Sequence, residues 1–262
     1  MSEREFQFFR GLAVVIAIAT ALALQRLSPH ARYRGSVRTN LGLWGVNLLI
    51  VGAVCGACAC AAARFAEQGG LGLFNTIQAP LWARVVATVV ALDFVSYCWH
   101  RANHVIPALW RFHAVHHSDT SFTVSTALRF HPGELLLSLP LRLAAVVAIG
   151  ASPATVVAFE AVFALSNYLE HGDIDLPVWL ERRLGRVFVT PALHRFHHAR
   201  KPTEREHNYG TIFVAWDRLL GTHRASDSSV QVELGLRGLD DSVDLLRALR
   251  LPVRLHSDQG RG

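Results

Sequence analysis

The sequence predicts an all-α fold: an integral membrane helical bundle under a histidine-rich helical cap. Three observations lead there. Hydrophobic residues make up 51% of the 262 and charged residues only 18%, below the quarter or so usual in a soluble domain. Apolar runs long enough to cross a bilayer recur in the first two thirds of the chain. The 14 histidines are concentrated between positions 100 and 207, at helical spacings. A mean hydropathy of +0.27 excludes a disordered chain. The net charge of +6 comes mainly from arginines beside apolar stretches, with no basic stripe interleaved with aromatics. That balance fits a membrane surface and argues against nucleic acid as a partner. Four cysteines are too few for a disulfide scaffold.

The elements follow in order. The run Gly11 to Leu24 ends at Gln25 and Arg26 without a small-residue cleavage site, so it reads as a retained membrane helix. The second run, Leu41 to Ala63, has 23 residues without a charge and predicts one further span. It holds Cys55, Cys58 and Cys60. A zinc site would need a second ligand pair and a polar loop nearby, so these small side chains read as helix-packing residues. A third helix starts near Pro80 and runs to Trp99, with Asp93 and Tyr97 toward its end. The apolar region Leu135 to Tyr168 is interrupted by Pro140, Gly150 and Pro153, and predicts two shorter helices in a hairpin. Trp179, Arg182, Arg183 and Arg186 mark an interfacial helix within Leu176 to Phe188. The expected organisation is N-terminal membrane helices over 1–92, a histidine-bearing unit over 93–225 and a polar tail over 226–262.

Charge asymmetry sets the orientation. Arg26, Arg32, Arg34 and Arg38 follow the first helix, whereas residues 65–83 contain neither Lys nor Arg. The first loop is then cytoplasmic and the second is not. Helix three returns and the hairpin leaves and comes back. All the histidine clusters are therefore expected on the cytoplasmic face.

Those clusters carry the chemistry. His100 and His104 are spaced i, i+4. His113, His116 and His117 form a His-x-x-His-His pattern, repeated at His194, His197 and His198, and His171 follows the hairpin. Residues three and four apart share a helix face, so each cluster can aim imidazoles at one point. Neutral imidazole binds iron, copper, nickel or zinc. Nine such side chains are too many for one ion and suit a di-metal site with coordination positions left open. Asp93 is an acid inside an apolar helix, expected to orient a ligand histidine or pair with an arginine. Glu160 is a second intramembrane acid with no motif around it. Trp216-Asp217-Arg218 reads as a lock under the cap, with Asp217 available to an imidazole N–H. His30, His223 and His256 lie outside the clusters and read as surface residues.

These motifs resemble the fatty acid hydroxylase/sterol desaturase superfamily of membrane non-haem di-iron enzymes. The resemblance runs from Asp93-Phe-Val-Ser-Tyr-Cys-Trp-His100-Arg-Ala-Asn-His104 through Phe112-His113-Ala-Val-His116-His117-Ser118 and Ala127-Leu-Arg-Phe-His131-Pro-Gly-Glu134. It continues at Thr190-Pro-Ala-Leu-His194-Arg-Phe-His197-His198, Asn208-Tyr-Gly and Trp216-Asp-Arg-Leu-Leu-Gly-Thr222, covering residues 93–222. His131 and His207 accompany the motifs, as ligands, behind the ligands or in the substrate pocket. Some acyl-chain hydroxylases of the superfamily have a further ligand histidine where this chain has Asn167, which could hold a metal-bound water or stand behind the ligands. His131-Pro-Gly-Glu differs by one letter from the haem-binding motif of cytochrome b5, but no soluble haem domain surrounds it.

The resemblance implies two iron ions, replaceable by zinc on purification, and O2 as co-substrate. It implies a lipid substrate from the bilayer, sterol-like or fatty acyl, hydroxylated or desaturated at a C–H bond. Electrons would come from a separate ferredoxin- or cytochrome b5-like donor. Two alternatives stand beside it: an alkylglycerol-type monooxygenase that cleaves ether lipids, which would need a pterin reductant, and a non-enzymatic metal-binding membrane protein.

Overall fold

The computed structural model describes residues 1–31, 36–55, 57–225, 232–239 and 243–255. Its helices are α1 Glu3–Leu27, α2 Val37–Cys55, α3 Cys58–Gln68, α4 Leu73–Thr76, α5 Leu81–Val105 and α6 Pro107–His117. A 3-10 turn, Val124–Leu128, leads to the hairpin α7 Pro132–Ile149 and α8 Pro153–Glu170. Four short helices follow: α9 Val178–Leu184, α10 Pro191–His197, α11 Pro202–Arg205 and α12 Ala215–Leu219. α13, Leu245–Arg254, closes the series. Among the described residues there is no strand, only two isolated bridges, Phe188 with Phe213 and Ala199 with Leu234.

Among the described residues three helices, α1, α5 and α7, are long and apolar enough to cross a membrane. Their outward faces and those of α2 expose Val15, Ile16, Leu49 and Trp82, a surface suited to acyl chains and not to water. Ser2 caps α1 by accepting from the Glu5 N–H, while the Glu5 carboxylate accepts from the Ser2 N–H. α1 packs along α8 through small residues, Ala17 and Ala21 lying with Ala164 and Tyr168. At its far end the Gln25 side-chain oxygen accepts from Val124 N and Asp173 N, which fastens the first helix to the histidine layer.

The single span expected over Leu41 to Ala63 is two helices, with Ala57 in the turn between them. The two halves bury different faces. α2 packs on α7, the 3-10 turn and α13, whereas α3 turns Cys60, Ala63 and Ala66 toward α7 and α8 and leaves Arg64 and Phe65 exposed. Cys60 sits in the apolar cluster with Val146 and Val156. α5 continues past Trp99 to Val105, so His100 and His104 ride on the spanning helix itself. Extended Ile106 and Pro107 then start α6 in a new direction. The hairpin stands as expected, but Pro140 lies inside α7 and does not interrupt it, since a membrane helix tolerates one lost bond. Left-handed Gly150 ends α7, and the Ser152 hydroxyl caps α8.

Part of the expected polar tail is packed structure. α13 starts at the Asp244 cap and buries Ala248, Leu251 and Leu255 against Leu43, Trp110 and Val115. His256 lies outside the described residues. Beneath α6, fully buried Arg129 donates to the Val115 carbonyl, Asn40 Oδ1 and Ser118 Oγ, each at 2.9 Å. Asn40 in turn donates to Asp119 at 2.9 Å. This network locks α2, the 3-10 turn and the C-terminal end of α6 together.

Gly72 and Gly150 meet where the loop before α4 passes the hairpin tip. Gly72 has φ +87°, and a Cβ there would lie 2.2 Å from the Val147 carbonyl oxygen. Both the backbone conformation and the backbone contact exclude a side chain, so Gly72→Ala should cost at least about 2 kcal/mol. A lower melting temperature in detergent is the expected reading; unchanged melting would show that this contact does not constrain the bundle.

Candidate metal centre

The nine cluster histidines divide into two groups. His100, His104, His113, His117 and His197 bring their ring nitrogens within 4.8 Å of one another, and His116, His171, His194 and His198 do the same. Helical spacing explains the division. In α6, His113 and His117 share a face and enter the first group, while His116 points to the second. At α10 the pairing is reversed: His194 and His198 enter the second group and His197 the first. Each His-x-x-His-His motif thus gives its i, i+4 pair to one group and its middle imidazole to the other.

The distances fit metal ligation. Nε2 atoms face each other at 3.0 Å between His100 and His197 and at 3.2 Å between His113 and His117. In the second group His171 Nε2 lies 3.0 Å from His116 Nε2 and 2.9 Å from His194 Nε2. Two ligands at right angles on one ion, with bonds of about 2.1 Å, stand about 3 Å apart. Burial, reinforced by the neighbouring imidazoles, holds His116, His117, His194 and His198 far below the ordinary histidine range. Burial likewise brings His171 down to about 4 and His197 to about 3. The rings are neutral at physiological pH, the form that binds metal. Converging ring nitrogens in two separate groups are a donor set that fits two metal ions.

The outward nitrogens are held as well. His100 Nδ1–H donates to the Tyr209 carbonyl at 2.9 Å, His197 Nδ1–H to the His207 carbonyl at 2.7 Å, and His171 Nδ1–H to the Asn167 carbonyl at 2.7 Å. His113 Nδ1–H donates to Glu134 at 2.9 Å. Such bonds fix the tautomer that leaves Nε2 free for a metal. Glu170 lies 3.8 Å from His171 Nδ1 and 3.9 Å from His194 Nδ1. Glu134 and Glu170 were not singled out from the sequence, although each is an acid at the end of an apolar helix beside a histidine.

The other expected site residues have different work. Asp93 touches neither histidine nor arginine: its carboxylate accepts from Ile212 N, Phe213 N and the Trp216 indole at 2.8–3.1 Å. An apolar helix thereby anchors the loop that carries Tyr209. Asp217 accepts from Tyr209 N, Gly210 N and the Thr222 hydroxyl, not from an imidazole. The lock is real, with Arg218 donating to the Gly185 and Arg186 carbonyls. His131 lies outside both groups and caps α7, its Nδ1 accepting from Gly133 N at 2.9 Å. His207 contributes its carbonyl and Asn167 both its carbonyl and a place on the cavity wall. His30 and His223 are half-buried rather than on the surface; His30 lies 3.6 Å from Asp175. On α9, Trp179 is exposed, with the Arg183 guanidinium 5.6 Å from its ring centre.

A cavity of about 340 Å³ runs from the helical bundle to both groups, touching His100 and His113 of the first and His116, His171 and His194 of the second. Trp99, Phe130, Leu135 and Phe163 give it an apolar wall.

A helical bundle with membrane-length apolar helices and a buried nine-histidine cap defines a class, the histidine-rich membrane metalloproteins. The comparison with known families narrows it. The profile of the fatty acid hydroxylase family matches residues 85–222, and the chain belongs to that family. It is 34% identical over 161 residues to the ornithine lipid hydroxylase of Rhizobium tropici, covering 62% of this chain and 48% of that protein. It is 31% identical over 134 residues to the alkylglycerol monooxygenase of Caenorhabditis elegans, covering 51% and 25%. With the cholesterol 25-hydroxylase of Rattus norvegicus it shares 27% identity over 165 residues, covering 62% and 54%. The matched stretch therefore spans about half or less of these relatives. No solved structure gives a significant match.

Because His207 acts through its backbone, His207→Ala should keep the metal content of the parent protein, measured by elemental analysis after purification with iron. Loss of one equivalent of metal would make its ring a ligand.

Proposed function

We propose that the chain is an O2-dependent membrane oxidoreductase that hydroxylates or desaturates a lipid C–H bond, with two irons held by the nine histidines. The observation that carries this reading is the cavity: an apolar channel from the membrane helices ends at both imidazole groups. Two irons there would supply the O2 activation and oxidising power that side chains lack.

The chain's own residues do the rest. The carbonyls of Tyr209, His207 and Asn167, with Glu134, hold the imidazoles in one tautomer and orientation. Trp99, Phe130, Leu135 and Phe163 exclude water and seat an acyl or sterol-like chain beneath the histidines. Asn167, one of several polar groups on that wall and one turn from His171, would hold a water beside the second group. A substrate enters sideways from the bilayer, between helices whose outer faces are apolar. Electrons come from a separate donor protein.

The similarity to alkylglycerol monooxygenases supports a second reading, in which the carbon next to an ether oxygen is the one hydroxylated. The geometry at the histidines serves both, and the product separates them. A non-enzymatic metal carrier is the weaker reading, because an ion needs no apolar channel to its ligands.

Protein purified anaerobically with iron should hold close to two metals per chain. His116→Ala or His197→Ala should abolish a lipid product that gains one oxygen or loses two hydrogens, while the protein still inserts in membranes. Wild-type turnover in both variants, or a reproducible single metal, would refute the assignment.

We also propose that the histidine face is cytoplasmic, on the asymmetry between Arg26, Arg32, Arg34 and Arg38 and the uncharged-to-acidic stretch 65–83. Single cysteines replacing Ser36 and Thr203, in a background without the native cysteines, should be labelled from the cytoplasmic side, and one replacing Gln78 from the other. Ser36 and Thr203 on opposite sides would overturn the helix count between them.

A further inference from the structure

Toward the end of the cavity away from the histidines, three charged side chains meet inside the apolar bundle. Arg10 of α1 pairs through Nε with Glu160 of α8 at 3.1 Å. Arg142 of α7 lines the same cavity, its guanidinium 5.4 Å from the Phe163 ring centre, and Glu160 lies in the field of both arginines. Guanidinium stays protonated in proteins, so two cations share Glu160; the other carboxylate that acts on Arg142 is Glu134, which already accepts from His113. Asn47, Ser138 and Tyr168, which line this stretch, are uncharged.

Charges at membrane depth are costly and are kept where they meet a partner or a cavity. Here the cavity continues past them into a space of about 780 Å³ between α1, α2, α5, α7 and α8. The Arg10 and Glu160 side chains, both on its lining, are 40% and 24% exposed. A guanidinium carries five N–H donors, so one carboxylate cannot saturate two of them. A phosphate or carboxylate is the group that matches a pair of such forks.

We propose that Arg10 and Arg142, with Glu160 holding Arg10 in place, form an anion-binding subsite of the cavity that receives the phosphate or carboxylate of an amphiphilic lipid whose chain runs toward the histidines. The inference rests on the cavity being the substrate channel. Its geometry has a consequence for where oxidation falls. Glu160 precedes His171, a member of the second group, by eleven residues along α8, a rise of about 16 Å. A zigzag chain with bonds of about 1.52 Å at near-tetrahedral angles advances about 1.25 Å per carbon. About a dozen chain carbons then separate the anion from the histidines, which meet the chain and not the head.

The test uses iron-loaded protein in neutral detergent and three radiolabelled probes with the same sixteen-carbon chain: hexadecyl phosphate, palmitate and hexadecan-1-ol. Wild type should bind the two anions about tenfold or more tightly than the alcohol. Arg142→Gln or Arg10→Gln should erase most of that preference while leaving iron content and alcohol binding unchanged. Glu160→Gln keeps an oxygen that holds Arg10 in place but removes the competing negative charge, and should tighten anion binding, an effect a merely structural ion pair would not produce; it keeps the test decisive if an arginine variant fails to fold. Equal wild-type affinity for all three probes, or an anion preference that survives both arginine substitutions, would overturn the proposal. Turnover of hexadecyl phosphate at a carbon remote from the phosphate identifies the substrate's own anion as the occupant. Anion binding that does not compete with the lipid reaction identifies a resident bilayer lipid instead. Retained anion preference in a protein that oxidises no lipid would sink the oxidoreductase reading and leave the subsite standing.

Discussion

Nine imidazoles converging in a buried volume are the constraint on which the rest of the cap depends. His100 and His197 both spend their Nδ1–H on carbonyls, so their Nε2 lone pairs face each other at 3.0 Å, an arrangement that a cation between them would relieve. The reciprocal use of the two His-x-x-His-His motifs makes the problem one of register. One turn of helix at α6 and one at α10 each serve both groups, so neither group can shift without the other. That coupling explains why so much of the remaining sequence is spent on fixing those two helices. Arg129 and Asn40 hold the end of α6 from below, and Asp93 and Asp217 hold the loop whose carbonyls orient His100 and His197.

The histidine set was legible in the sequence because helical spacing is a short-range property: residues three or four apart share a face in whatever fold contains them. The hairpin was legible for the same kind of reason, since Gly150 and Pro153 are local stops. What spacing did not show was which histidine joins which group, because that depends on the relative rotation of α5, α6, α8 and α10. The break in the second apolar run was hidden too. Composition over Leu41 to Ala63 is uniformly apolar, and only packing reveals that its halves bury different faces.

The acids were the hardest to read. Asp93 and Asp217 look like partners for histidine in a sequence, yet both bind backbone N–H groups of one loop, and it is the loop's carbonyls that reach the imidazoles. Carbonyl acceptors leave no trace in residue identity, so any side chain could occupy His207 or Asn167 as far as these bonds are concerned. Conversely Glu134 and Glu170, which do stand behind histidines, sit among apolar residues where an acid reads only as an anomaly.

That division of labour bears on how the site keeps its shape while a lipid comes and goes. Near the histidines the cavity wall combines aromatic and aliphatic side chains with polar ones, among them Asn103, Asn167, Glu134 and Glu170. Three of the bonds that aim the imidazoles end on backbone carbonyls, of Tyr209, His207 and Asn167, and a fourth ends on Glu134. A hydrocarbon chain has no donor to offer these acceptors, so it can repack the wall without competing for the bonds that aim the nitrogens. The two acids at opposite ends of the same apolar bundle follow one rule. Glu134 is matched by a histidine N–H and Glu160 by an arginine, so each acid on the cavity lining keeps a partner of its own.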